Sequence, residues 1–94
     1  MQTVIAHRSL QDCDITRLRL TGEHRLSLRF RDSLVAELDL SHWVKEQEGL
    51  MIEPLRDTTY FASVDLDDGV LTWPNGFDLD PLTVRAWAEQ GFCD

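Results

Sequence analysis

Residues 71–81, Leu71-Thr72-Trp73-Pro74-Asn75-Gly76-Phe77-Asp78-Leu79-Asp80-Pro81, leave the backbone very little freedom. The residue before a proline is held extended by the proline ring, so Trp73 is expected to close a strand. Pro74 supplies the φ angle needed at the second position of a β-turn, and Asn75 and Gly76 are residues such turns favour. Pro81 in turn holds Asp80 extended, which suits a helix N-cap, and Pro81 itself suits the first helical position. The segment therefore predicts strand, turn, helix. Trp73 is expected to be buried against Val64 and the terminal helix, and the Asp80 carboxylate to accept a backbone N–H near Thr83.

A chain of 94 residues holds one small core, burying somewhat over ~60% of the surface its unfolded form exposes. Its 43% hydrophobic content is that of a globular domain rather than a disordered one. There is no apolar run near ~20 residues and no charged-then-apolar N-terminus, so a cytoplasmic location is expected. Cys13 and Cys93 lie near opposite ends and are read as reduced thiols.

Charge is split along the chain. Residues 1–33 carry six arginines and four acids, whereas residues 34–94 carry three bases and thirteen acids, for a total of −8. An acidic total argues against direct nucleic-acid binding, whose affinity comes from neutralising phosphates. Acidic loops that keep a small domain in solution explain the excess, as does a surface for a basic partner or a mimic of nucleic acid.

Residues 15–40 alternate in the manner of an antiparallel meander with one buried face. Leu18, Leu20, Leu26, Leu28 and Phe30 share one parity. A three-residue loop, Gly22-Glu23-His24, pairs Leu20 with Leu26 and Leu18 with Leu28, and is preferred over a two-residue turn that would oppose Leu20 to Arg25. In the third strand, Leu34, Ala36, Leu38 and Leu40 form one set. They face the core if Arg31–Ser33 is an odd loop, and Val35 does if the turn is tight at Asp32-Ser33. Ser41 is expected to cap a helix stopped by Gly49, and Asp57 a turn holding Tyr60 and Phe61. Asp68-Gly69 predicts a type I′ hairpin with Leu66 opposite Leu71 and Asp65 opposite Thr72. The last helix is expected from Pro81 to about Gln90, with Val84, Trp87 and Ala88 on one face.

Taken in order, these features resemble the domain of unknown function 2442 family of small, mostly bacterial proteins. The resemblance rests on Arg25-Leu26-Ser27-Leu28-Arg29-Phe30, Leu38-Asp39-Leu40, Glu53-Pro54-Leu55-Arg56-Asp57, Tyr60-Phe61, Val64, Asp68-Gly69, Trp73-Pro74-Asn75-Gly76 and Asp78-Leu79-Asp80-Pro81. It covers roughly residues 14–84. It implies an α+β fold and no catalytic activity. It also implies pairing with a small protein from a neighbouring gene, in the manner of a toxin and antitoxin. Ser33 stands where many members have a turn glycine, and the resemblance does not reach the segment before Asp14. Some members carry a helix-turn-helix domain, which is not expected here.

Motifs that would assemble a reaction are missing. The acids Asp65, Asp67 and Asp68 before Gly69 have the wrong parity for a calcium loop. His7, His24 and His42 are dispersed, no Cys-x-x-Cys occurs, and Cys13 lies between two aspartates that disfavour its thiolate. Neither a nucleophile elbow nor a phosphate-cradling glycine loop is present. No cofactor and no metal are expected.

The candidate binding residues are Arg17, Arg19, Arg25, Arg29 and Arg31, which parity places on the polar face of the meander. Glu37 and Asp39 are the neighbouring acids, fewer than the arginines they would neutralise. Trp73, Pro74, Asn75, Gly76, Asp78, Asp80 and Pro81 are read as a structural motif. The expected fold is α+β, with a three-stranded antiparallel meander, a short helix, a β-hairpin and a C-terminal helix. Residues 14–94 form one domain, with residues 1–13 an N-terminal arm or extra strand. The expected function is a non-enzymatic protein-binding module of regulatory or antitoxin-like type. The alternatives are a small-ligand domain or weak enzyme using the cleft from Trp73 to Asp80, and an acidic nucleic-acid mimic. No membrane partner is expected, and homodimerisation is left open.

Overall fold

Alternating leucines and arginines build the first sheet of this computed structural model, which describes residues 13–94. The expected arm or strand over residues 1–13 lies, apart from Cys13, outside the described residues. Strands β1 (Ile15–Gly22), β2 (Arg25–Phe30) and β3 (Val35–Asp39) form an antiparallel sheet in that order. Helix α1 (Ser41–Glu46), a 3-10 turn (Glu53–Arg56) and the single-turn helix α2 (Thr58–Phe61) follow. The hairpin of β4 (Asp65–Asp67) and β5 (Val70–Thr72) leads to the C-terminal helix α3 (Pro81–Gln90). The fold is α+β, as the sequence predicts.

In the first hairpin Leu18 pairs with Leu28 and Leu20 with Leu26, the expected register. The odd residue is not in the loop, however. Gly22 pairs with Arg25 across a two-residue turn at Glu23-His24, and a bulge between Leu20 and Gly22 absorbs the extra residue. A bulge restores parity as well as a longer loop does. His24 helps place the turn, since its Nε2 lies 2.9 Å from the Leu55 carbonyl and its ring meets Phe61 edge-on at 4.8 Å.

The second hairpin adopts the odd loop. The Phe30 N–H donates to the Leu34 carbonyl (2.8 Å), the Ser33 N–H donates to the Phe30 carbonyl (2.9 Å), and Ser33 sits at φ +76°. Leu38 and Leu40 are therefore buried and Val35 is 62% exposed.

Asp57 caps α2 by accepting the Thr59 N–H at 2.9 Å, as expected. Ser41 does not cap α1. It is the first helical residue, and the Asp39 carboxylate accepts its N–H at 2.9 Å. Gly49 does not stop that helix either. Its C-cap is Gln47, whose carbonyl and that of Val44 accept hydrogen bonds from Arg56 at 2.7 and 3.0 Å. Asp68 and Gly69 both have positive φ, and Leu66 faces Leu71 with Asp65 facing Thr72.

Between the layers lies one core containing Leu26, Leu28, Phe30, Leu38, Phe61, Leu71, Trp73, Val84 and Trp87. Trp73 is buried, but its aromatic neighbours are Phe61 at 5.6 Å and Phe77 at 5.8 Å. Its indole N–H donates to the Phe61 carbonyl at 3.0 Å, which gives the buried polar end of the ring its partner. Helix α3 presents Trp87 edge-on to Trp43 at 5.3 Å.

Candidate functional site

Strand parity and cross-strand register together decide what the uncovered face of the meander presents. Lateral partners in a sheet point to the same side, so the pairs Arg17–Arg29, Arg19–Ser27, Arg25–Asp39, Ser27–Glu37 and Arg29–Val35 share one face. The leucine pairs share the other, where the core is. Arg17, Arg19, Arg25, Arg29, Val35, Glu37 and Asp39 are all exposed. A depression of about 350 Å³ lies over this surface, with Arg17, Arg19, Ser27, Arg29 and Val35 in its lining.

Among the described residues only one of these arginines is neutralised there. Arg25 approaches Asp39 at 3.8 Å, with both side chains about half exposed. The hydrogen bonds from Ser41, more than Arg25, hold the Asp39 carboxyl below its usual range. Among the described residues, Arg17, Arg19 and Arg29 make no ion pair. Arg17 and Arg29 face one another directly, an arrangement of like charges that costs stability. Arg31 follows the last residue of β2 and is paired elsewhere. It lies in the β2–β3 turn, donates to the Asp14 carboxylate at 3.1 Å, and helps tie the start of β1 to that turn.

Arg85 escaped the sequence reading. It lies on the inner face of α3 with its side chain only 9% exposed, and its two terminal nitrogens donate to Asp32 at 2.8 and 2.6 Å. Its Nε donates to Glu89 at 2.9 Å, and its guanidinium stands 5.0 Å over the Phe30 ring. The hydrogen bonds from Arg85 lower the Asp32 carboxyl to about 2, and those from Asp32 raise the Arg85 guanidinium. The only local signal was the Arg85–Glu89 spacing of four on a helix.

The motif from Trp73 to Pro81 consumes its own polar groups. The Gly76 N–H donates to the Trp73 carbonyl, the Trp73 N–H donates to the Phe77 carbonyl, and Gly76 sits at φ +90°. Pro74 and Asn75 are the central turn residues. The Asn75 side chain donates to Met51 and accepts the Phe77 N–H, both at 3.0 Å, while its own N–H donates to the Tyr60 hydroxyl at 2.9 Å. The turn then returns along β5, where Asp78 bridges Thr72 and the Leu79 N–H reaches the Leu71 carbonyl. The sequence reading passed directly from turn to helix and missed this return. Asp80 caps α3 through the Leu82 N–H at 3.2 Å and accepts the Thr83 hydroxyl at 3.3 Å, with Pro81 at the first helical position.

Among the described residues no group of three or more His, Cys, Asp or Glu side chains is placed to hold a metal ion. Cys13 is fully buried, and burial pushes the Cys93 thiol up to about 12, far from an activated thiolate. No helix among the described residues is long and apolar enough to cross a membrane.

A meander with one buried leucine face and one open arginine face, closed by a hairpin and a capped helix, defines a small α+β domain. The chain belongs to the family described as Protein of unknown function (DUF2442), whose model matches residues 15–90. No curated protein and no solved structure matches it.

Proposed function

We propose that this chain is a non-enzymatic protein-binding module that receives an acidic partner on the arginine face of its meander. The observation that carries the reading is the set Arg17, Arg19 and Arg29, exposed on one sheet face without an ion pair among the described residues. Such a field steers an oppositely charged partner and raises its association rate. Val35, exposed beside Arg29, adds an apolar contact to the same surface. The resemblance supplies the first partner to try, the product of an adjoining gene, and with it a regulatory or antitoxin-like role. The motif from Trp73 to Asp80 gives less support to a ligand cleft, because its tryptophan is buried and its asparagine is engaged on every side.

The test is association with that neighbouring protein, followed by surface kinetics as salt rises. Exposed charges are screened beyond about 10 Å at 0.1 M salt, so affinity should fall steeply. Charge reversal at Arg17 and Arg29 together should slow association by about tenfold or more while the fold persists. Binding that ignores both salt and these reversals would place the interface elsewhere. Turnover of a small molecule by the purified chain would overturn the non-enzymatic reading.

A further inference from the structure

The direction of the backbone groups in β1 follows from its neighbours. The Phe30 N–H points to β3, where it meets Leu34, and residues of a strand alternate in direction. Leu26, Leu28 and Phe30 therefore bond to β3, and Arg25, Ser27 and Arg29 bond to β1. It follows that Arg17 and Arg19 spend their N–H and C=O groups on β2, while those of Leu18 and Leu20 point out of the sheet. Among the described residues these four groups have no hydrogen-bond partner. Among the described residues this is an open edge, and open edges are templates for another strand.

The space beside that edge is also shaped. A groove of about 360 Å³ runs between β1 and β4, lined by Thr16, Arg17, Leu18 and Leu20 on one wall and Val64, Asp65 and Leu66 on the other. The two strands are joined at one end, where the Ile15 N–H donates to the Gly69 carbonyl at 3.1 Å. Leu20 is 38% exposed, and Leu18, Val64 and Leu66 are half-buried. The Asp65 carboxylate accepts the Leu66 N–H at 2.8 Å.

We propose that the free edge of β1 takes up an extended acidic segment of a partner protein as an added strand. Alternate carboxylates of that segment meet Arg17 and Arg19, and its intervening apolar side chains enter the groove against Leu20, Val64 and Leu66. The proposal rests on the reading of the arginine face given above and specifies the shape of the partner.

This occupant is selected on four grounds. Side chains two residues apart on a strand lie about 6.6–6.8 Å apart on one face, so alternate acids keep step with Arg17 and Arg19. Carboxylates can bond these guanidinium groups through two parallel hydrogen bonds. A nucleic acid would offer phosphates to the arginines, but no peptide groups to the Leu18 and Leu20 backbone and no side chains to the leucine wall. A second copy of β1 would bring its own Arg17 and Arg19 against these, which like-charge repulsion disfavours.

The test uses the full chain, isotopically labelled, and a short blocked peptide alternating glutamate and valine. The control has the same composition with its glutamates in one block. The alternating peptide should bind more tightly and slow amide exchange at Leu18 and Leu20 by about tenfold or more. N-methylation of its edge-facing amides should abolish that protection. Equal binding of both peptides with Leu18 and Leu20 exchange unchanged would overturn strand addition and leave the arginine face standing. Slow exchange at these amides in the free protein would mean that the protein covers its own edge, and would also overturn the proposal. Binding of neither peptide at low salt would remove both readings.

Discussion

Ser33 occupies a backbone conformation that its own side chain disfavours. At φ +76° its Cβ crowds the following carbonyl, which costs about 1–2 kcal/mol, and the loop accepts this because Phe30 and Leu34 must pair to bury the third strand. The Asp32 carboxylate accepting the Leu34 N–H at 3.3 Å supports the same turn from outside. Glycine removes the clash but gives the unfolded chain more freedom to lose, at about 0.5–1 kcal/mol. Ser33→Gly should therefore stabilise the protein by up to about 1 kcal/mol, raising the melting temperature by several degrees in so small a domain. A fall in melting temperature on a thermal scan would show that the Ser33 hydroxyl does something the turn needs. In the sequence, Ser33 in place of the turn glycine that the resemblance implies left this hairpin in doubt, and its φ of +76° shows the glycine-like conformation the turn adopts with serine.

At the level of elements, the parts legible in the sequence are those whose cause is local. Turn residues at Asp68-Gly69 and Pro74-Asn75-Gly76, the caps at Asp57 and Asp80, and the leucine parity of β1 and β2 all act within a few residues. What was not legible depends on distant partners. His24 pulls its turn toward Leu55, 31 positions away, and Arg85 reaches Asp32 across 53. The second contact clamps α3 to the β2–β3 turn, and it carries a pH signature. The Asp32 carboxyl is lowered from 3.8 to about 2 in the folded chain, chiefly by the hydrogen bonds from Arg85. A depressed carboxyl lets the unfolded state bind the proton first, so stability falls as pH falls. The contribution of the pair should be complete above about pH 4 and lost between about pH 4 and pH 2. Melting curves of the native chain and Asp32→Asn across that range should converge as acid is added. A gap between them that stays constant with pH would mean that the ion pair is not what the substitution removes.

Across the whole molecule, the residues that weaken the sheet are those proposed above to meet a partner. Arg17 and Arg29 face each other on an exposed surface, Arg19 faces an uncharged serine, and Asp39 of β3 is partly engaged by Ser41. This candidate site was legible as a parity pattern, because four of its five arginines lie on strands. Arg31 lies just past β2, and its pairing with Asp14 is a contact that strand parity does not carry. A face that served stability alone would alternate its charges across the strands. Arg17→Glu creates that alternation by setting an acid opposite Arg29. Cross-strand pairs of opposite charge are worth roughly 0.2–1 kcal/mol, and the like-charge penalty disappears as well. The variant should thus unfold at slightly higher urea than the native chain, by up to about 1 kcal/mol, while its binding to the acidic alternating peptide falls by about tenfold or more. Gain of stability with loss of binding separates a functional surface from a structural one. If Arg17→Glu destabilises the fold, the facing arginines are held apart by something other than the sheet register. If it stabilises the fold and binding persists, the arginines are solvated surface and the partner meets the molecule on another side.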